Sequence, residues 1–373
     1  MEHVGTGHRA VRGAAAAVVA AVLATALTGA VSAPVDAAAE STTFVWSGES
    51  ELATGDARTS SPGNWSGGVA PAAGQQVDLV FPAVTCVLND SCGRVLNDVP
   101  GLVATSIHVT TPGRPPGPSQ SIFGYTFEGE GLRLNGPLRS DRDTTLGSTL
   151  KPVAWKIPLE LEGPGAWFSR SYFDVDAPVT GQSLRVKTQL AGGLNIHDAI
   201  ETDRFVERGR GTSEVTGGSV NAESGGPVLY DGRALSVTDA KFGPLKLRGT
   251  DLLLMSGKRP TRVLGAASLD DRTQVFVLDA SADHALLKAT GKVELGGAKL
   301  NGAVDCAGAE RGKPFPVIRG KEVHGLLSDL KGRPLPDGKV IRYLAPENCY
   351  SEPVAVRIGY TPRAVTLTII STP

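Results

Sequence analysis

This chain has little of what usually announces chemistry. Of its 373 residues only 5% are aromatic, and the formal net charge is −1 at pH 7. No global field draws such a molecule to nucleic acid. There is no Gly-x-Ser-x-Gly elbow to present a nucleophilic serine. Gly209-Arg210-Gly211-Thr212 and Gly217-Gly218 are too sparse for a loop that cradles phosphates. Beyond residue 40, His108, His197, His284 and His324 stand singly, without metal-ligand spacing or a triad signature. Surface or turn roles are expected for them, and no metal site. After the first forty residues no apolar run reaches membrane length, so no membrane insertion of the mature chain is expected.

What the chain has is an export signal and a great deal of punctuation. Residues 1–39 read as a Sec signal peptide, with Arg9 and Arg12 before an Ala/Val/Leu-rich run from Ala14 to Ala30. Cleavage after Ala33 would leave Pro34 first, so cleavage is expected after Ala37 or Ala39, giving a secreted, extracellular protein. The remainder, 40–373, reads as a single domain. With 46 glycines and 25 prolines, short β-branched runs are cut off from one another at close intervals. Strand candidates are Val77–Phe81, Ala104–Val109, Tyr125–Leu134, Trp155–Leu161, Ser183–Thr188, Ala234–Val237, Leu245–Leu254, Gln274–Leu278, Lys288–Leu295 and Val365–Ile369. Alternation such as Leu132-Arg133-Leu134 and Leu245-Lys246-Leu247-Arg248 means one face packed and one face wet. Asp198–Arg208 is the best helix candidate, and reads equally well as a polar loop.

A loose Gly-x-Leu-x-Leu motif recurs at Gly131–Leu134, Gly181–Val186, Pro244–Leu247 and Gly291–Leu295. Stacked rungs of a β-solenoid would need that pattern, with inward aliphatic residues and a corner glycine. A β-sandwich is the alternative, because degenerate spacing fits both. Four cysteines, Cys86, Cys92, Cys306 and Cys349, suit an oxidising compartment. Three pairings are possible. The local one, Cys86–Cys92 with Cys306–Cys349, is expected, its larger loop adding about 3–4 kcal/mol in the chain-entropy model.

The segment Asn64-Trp65-Ser66-Gly67-Gly68-Val69-Ala70-Pro71, preceded by Trp46 and followed by Val77–Pro82, resembles the start of secreted bacterial autotransporter-type passengers. Asn97–Ile107 and Tyr125–Leu134 are similar to their next coils, and Asp283–Leu300 to their closing segment. Phe315–Ile318 and Ala364–Thr368 complete the likeness. Three departures are His284 where the family has Asp, a Phe315–Leu344 stretch rich in Pro, Lys and Arg, and the lack of a translocator barrel. The resemblance implies a right-handed parallel β-helix, with an N-terminal cap region over 40–82 and a C-terminal one over 301–373. Trp46 and Trp65 would plug its open end.

Candidate chemistry is sparse. Asp141-Arg142-Asp143, Asp203-Arg204 and Asp270-Asp271-Arg272 set carboxylates beside arginine, which favours ionised surface networks over a raised general-acid pKa. Asp174-Val175-Asp176 is the exception. Its i, i+2 spacing puts two carboxylates on one strand face, able to serve as an acid/base pair or to touch Ca²⁺, though no cofactor is assigned. Trp155, Trp167, Phe168, Tyr172 and Phe173 crowd the same stretch. Trp155, Trp167, Tyr172, Asp174 and Asp176 therefore form the candidate ligand region, for a cell-surface or extracellular polysaccharide. The expected function is a structural, adhesive or binding role without catalytic residues. The alternative is a polysaccharide lyase or glycoside hydrolase on the same scaffold.

Overall fold

The computed structural model describes residues 41–83, 93–111, 124–142, 153–190, 192–278, 284–301, 311–343 and 354–371. All four cysteines lie outside the described residues, and so do residues 1–39, where a signal peptide is expected. The described chain is all-β, as expected. Its one α-helix is a short segment, Glu49–Thr54, that alternation had not suggested.

Pairing is parallel nearly throughout, unlike the antiparallel sheets of a β-sandwich. One ladder of ten strands runs from Arg94–Asn97 through Thr126–Gly129, Val153–Trp155, Tyr172–Val175, Gly193–Ile196, Thr212–Thr216, Ala234–Thr238, Asp251–Leu254 and Gln274–Val277 to Lys299–Asn301. Parallel register stacks like face on like face. Val95, Phe127, Trp155, Val175, Ile196, Val215, Val237, Leu254 and Val277 therefore form one buried row. Each such side chain contributes roughly 1.5–3 kcal/mol by burial. A slip of one residue would turn the whole row outward, so register is tightly specified.

The second sheet changes form along the chain. Val103–Thr111, Leu159–Ser169, Val179–Thr188 and Ala199–Gly209 are long strands of nine to eleven residues. Beyond Ala199–Gly209 the sheet divides into two ladders. One passes through Ser219–Val220, Lys241–Phe242, Thr261–Val263, Leu287–Ala289 and Pro314–Arg319. The other passes through Val228–Asp231, Leu245–Leu247, Ala267–Leu269, Lys292–Glu294 and Glu322–His324. From Thr212 to Asn301 the chain visits the three ladders in strict rotation.

This rotation explains where expected strands are cut. Leu245–Leu254 is two strands, Leu245–Leu247 and Asp251–Leu254, in different ladders; Lys288–Leu295 and Tyr125–Leu134 divide likewise. Inward alternation resumes past each corner, so the corner leaves no mark in the pattern. Asp198–Arg208 is neither helix nor loop: it contributes most of the strand Ala199–Gly209. Glu207 occupies an inward position there and Val206 is buried beside it, which breaks the two-residue period.

At the N-terminal end, Trp46 and Trp65 pack edge to face, 5.1 Å between ring centroids, together with Phe44 and Phe81. The Asn-Trp pair of the sequence motif has a structural reason. Asn64 Oδ1 accepts the Glu51 N–H at 2.9 Å, and its Nδ2 donates to the Asp56 and Arg58 carbonyls. Trp65 Nε1 donates to the Thr59 carbonyl at 2.7 Å. At the other end parallel pairing stops, because Ala364–Ser371 joins Pro314–Arg319 antiparallel and continues into Val354–Thr361 and Val340–Tyr343.

Gly296 and Gly297 make the corner between Lys292–Glu294 and Lys299–Asn301, both at positive φ (53° and 77°). A methyl group on Gly296 would also be driven into the Leu269 carbonyl, whereas one on Gly297 would sit 3.8 Å from its nearest neighbour, Asp271 Cβ. Gly296→Ala should thus cost about 2 kcal/mol or more in urea unfolding, and Gly297→Ala about 1 kcal/mol. Equal losses would contradict this corner geometry.

Candidate functional site

The long strands create the broadest face of the molecule's described sheets, and their register decides what stands on it. Val186 pairs with Trp167 on one side and Glu207 on the other, all three pointing inward. One residue along, Phe168, Lys187 and Arg208 are aligned on the outer face. The row extends backwards without a break. Phe168 pairs with Arg139 of Pro137–Arg142, and Arg139 pairs with His108 of Val103–Thr111. Two residues earlier, Ala166, Arg185 and Val206 form a parallel row, and Arg204 stands opposite Ser183. Alternation thus places Arg185 and Lys187 of one strand and Arg204 and Arg208 of the next on the same outer face.

A cavity of about 460 Å³ lies on this face, lined by Phe168, Arg185, Lys187, Arg204, Val206 and Arg208 among others. A smaller one of about 150 Å³ is lined by Arg139, Asp141, Arg170 and Gln189, and shares Phe168 and Lys187 with the first. Phe168 is 43% exposed, unusual for a phenyl ring. The charges are unevenly compensated. Asp141 receives Arg139 (2.5 Å), Arg170 (3.3 Å) and His108 Nε2 (2.9 Å). Arg139 and then His108 outweigh the burial of Asp141 and hold its carboxyl below the usual range. Arg208 lies 3.7 Å from Asp231. Arg185, Lys187 and Arg204 have no ion pair among the described residues. Uncompensated cations around an exposed ring can bind an anion that also offers an apolar surface.

Beneath the face lies a buried polar group. Glu207 accepts a hydrogen bond from Ser213 Oγ at 2.6 Å and another from Thr188, while Oε2 lacks a partner among the described residues. The buried Tyr230 hydroxyl also lacks one. Burial raises the Glu207 carboxyl to about 7, and burial with the Glu207 charge pushes the Tyr230 phenol up.

The expected ligand region is divided between two sides of the fold. Trp155 and Trp167 are each 1% exposed and stand in inner rows, Trp167 also contributing to the lining of the larger cavity. Tyr172, Asp174 and Asp176 lie on the outer face of the ten-strand ladder, away from Phe168. Asn195 Nδ2 donates to Asp174 Oδ1 at 2.7 Å. Burial raises the Asp174 carboxyl, with the Asp176 and Glu214 charges adding to it against the Asn195 hydrogen bond and His197. Of the other carboxylates, Asp270 is tied by the Gly249 and Thr273 N–H groups and by Arg272. Among the described residues no three His, Cys, Asp or Glu side chains converge as metal ligands. Arg185, Lys187, Arg204 and Arg208 were missed because a net charge of −1 hides a local cluster. Their signal was the Arg-x-Lys of 185–187 together with the four-residue spacing of 204 and 208.

Compared with known proteins, the chain matches no family model, no curated sequence and no solved structure.

A carboxyl whose pKa is higher in the folded state holds its proton more tightly there. Its contribution is complete below the unfolded value near 4.5 and is lost as pH rises through about 7. Unfolding free energy should therefore fall between these pH values, by on the order of 3 kcal/mol for Glu207. Glu51, also raised to about 7 by burial, acts in the same direction. Glu207→Gln should flatten the decline in denaturant midpoints and leave the portion due to Glu51. An unchanged pH profile in the variant would exclude Glu207 as the titrating group.

Proposed function

We propose that the chain is an exported parallel β-helix protein whose long-strand face binds an anionic ligand. The rotation through three parallel ladders supports the solenoid. The Arg9–Ala30 pattern supports export through the Sec route, and the Asn64–Pro71 motif supports kinship with autotransporter-type passengers. One observation carries the binding role: Arg185, Lys187 and Arg204 line the same cavity of about 460 Å³ as exposed Phe168, and none has a carboxylate partner among the described residues. Binding here is structural or adhesive work, and needs no catalytic residue.

Ion exchange tests this directly. A protein of net charge −1 is not retained on a sulfonate resin at neutral pH and low salt unless it carries a concentrated positive patch. Retention is expected for the purified chain, and its loss for the Arg185→Glu/Lys187→Glu/Arg204→Glu variant. Passage of the unaltered chain through the column would contradict the proposal.

A second reading is favoured by the raised Asp174 carboxyl beside Asp176: a carbohydrate-active site on the ten-strand ladder. It requires measurable release of reducing or unsaturated sugar ends from some polysaccharide. That turnover should vanish in Asp174→Asn with circular dichroism unchanged. Turnover insensitive to this substitution would remove Asp174 from the chemistry.

A further inference from the structure

We propose that the ligand is a linear polysaccharide carrying an anionic group on successive sugars, lying across the strands on the row His108–Arg139–Phe168–Lys187–Arg208, an inference that rests on the anionic-ligand reading above. These residues come from five successive strands and are joined by direct register pairs. Adjacent parallel strands lie about 4.8 Å apart, so the row is roughly 19 Å long. Four of the five side chains are basic or can become so, and they are strung along a line. A compact anion such as free phosphate needs donors converging on one point, and these diverge along a track. A chain with repeated charge matches a track.

The remaining features agree with a sugar chain. The two cavities meet at Phe168 and Lys187, so the depression continues along the row past the ring. Phe168 is the row's aromatic residue, and its exposed face can take the apolar face of one sugar. Single-stranded nucleic acid uses several aromatic platforms for successive bases, and this row has one. Asp141 holds Arg139 and Arg170 in place, and a guanidinium with five N–H donors keeps several free for a ligand. At the far end Asp231 faces Arg208 and pairs with it in register, which puts a carboxylate where the track stops.

The test is calorimetric titration of the full chain. Ligands are oligogalacturonates and heparin-derived oligosaccharides of two, four and six sugars, neutral malto-oligosaccharides of the same lengths, and oligothymidylate. Affinity for one of the anionic series should rise at least tenfold from two to six sugars, and the neutral series should not bind. Lys187→Glu and Arg208→Glu should each lower the affinity for six sugars tenfold or more, while Lys241→Glu, on another ladder, should leave it unchanged. Equal affinity for two and six sugars would overturn the extended-chain inference while leaving an anion site in place. Tighter binding of oligothymidylate than of any glycan would overturn the choice of polysaccharide. Absence of binding by every anion would remove the reading on which the inference rests.

Discussion

Everything here depends on the parallel backbone ladder. Each strand exchanges N–H and C=O hydrogen bonds with the strand before it and with the strand after it, and the register ties every side chain to one counterpart on each side. On the inner face this makes rows such as Phe127, Trp155, Val175 and Ile196, in which each side chain is buried by the next. On the outer face the same bonds align whatever the sequence supplies. The row running from His108 to Arg208 is the outward consequence of the register that buries Leu138, Trp167 and Val186 one residue away. Core and candidate site therefore share one constraint, and a change of register would abolish both.

The region under the basic face is also where the interior departs from its own rule. Most inner positions are aliphatic or aromatic, but here Glu207, Ser213, Thr188 and Tyr230 are buried, with Ser213 Oγ donating to Glu207. A buried carboxyl is tolerable when neutral or hydrogen bonded. The protonated form suits this surrounding, because burial penalises the charged carboxylate. Long strands, a polar interior and an exposed ring thus coincide in one stretch of the chain.

Much of the fold was legible in the sequence. Period-two alternation identified many of the strands, and Gly-x-Leu-x-Leu recurrences fell on several of them. The Asn64-Trp65 motif marked an end whose hydrogen bonds now explain it. What alternation could not reveal was the corner inside Leu245–Leu254, since inward residues resume beyond it, or the strand Ala199–Gly209, whose buried Glu207 breaks the pattern. The candidate site was legible only in part. Proximity along the chain grouped Trp167 with Tyr172 and Asp174, but alternation sends Trp167 inward, and the turn after Ser169 carries Tyr172 and Asp174 to another ladder. The basic row is assembled from five strands spread over a hundred residues, and spacing within one strand cannot show that.

The most direct measurement is the distance between spin labels placed on cysteines substituted at His108 and Arg208, the two ends of the row. Both positions face solvent and are separated by four strand intervals. A single narrow distribution near ~19 Å is expected if the five strands stack in register. A broad distribution, or one centred well beyond that distance, would contradict the aligned row, and with it the common origin of core and binding face.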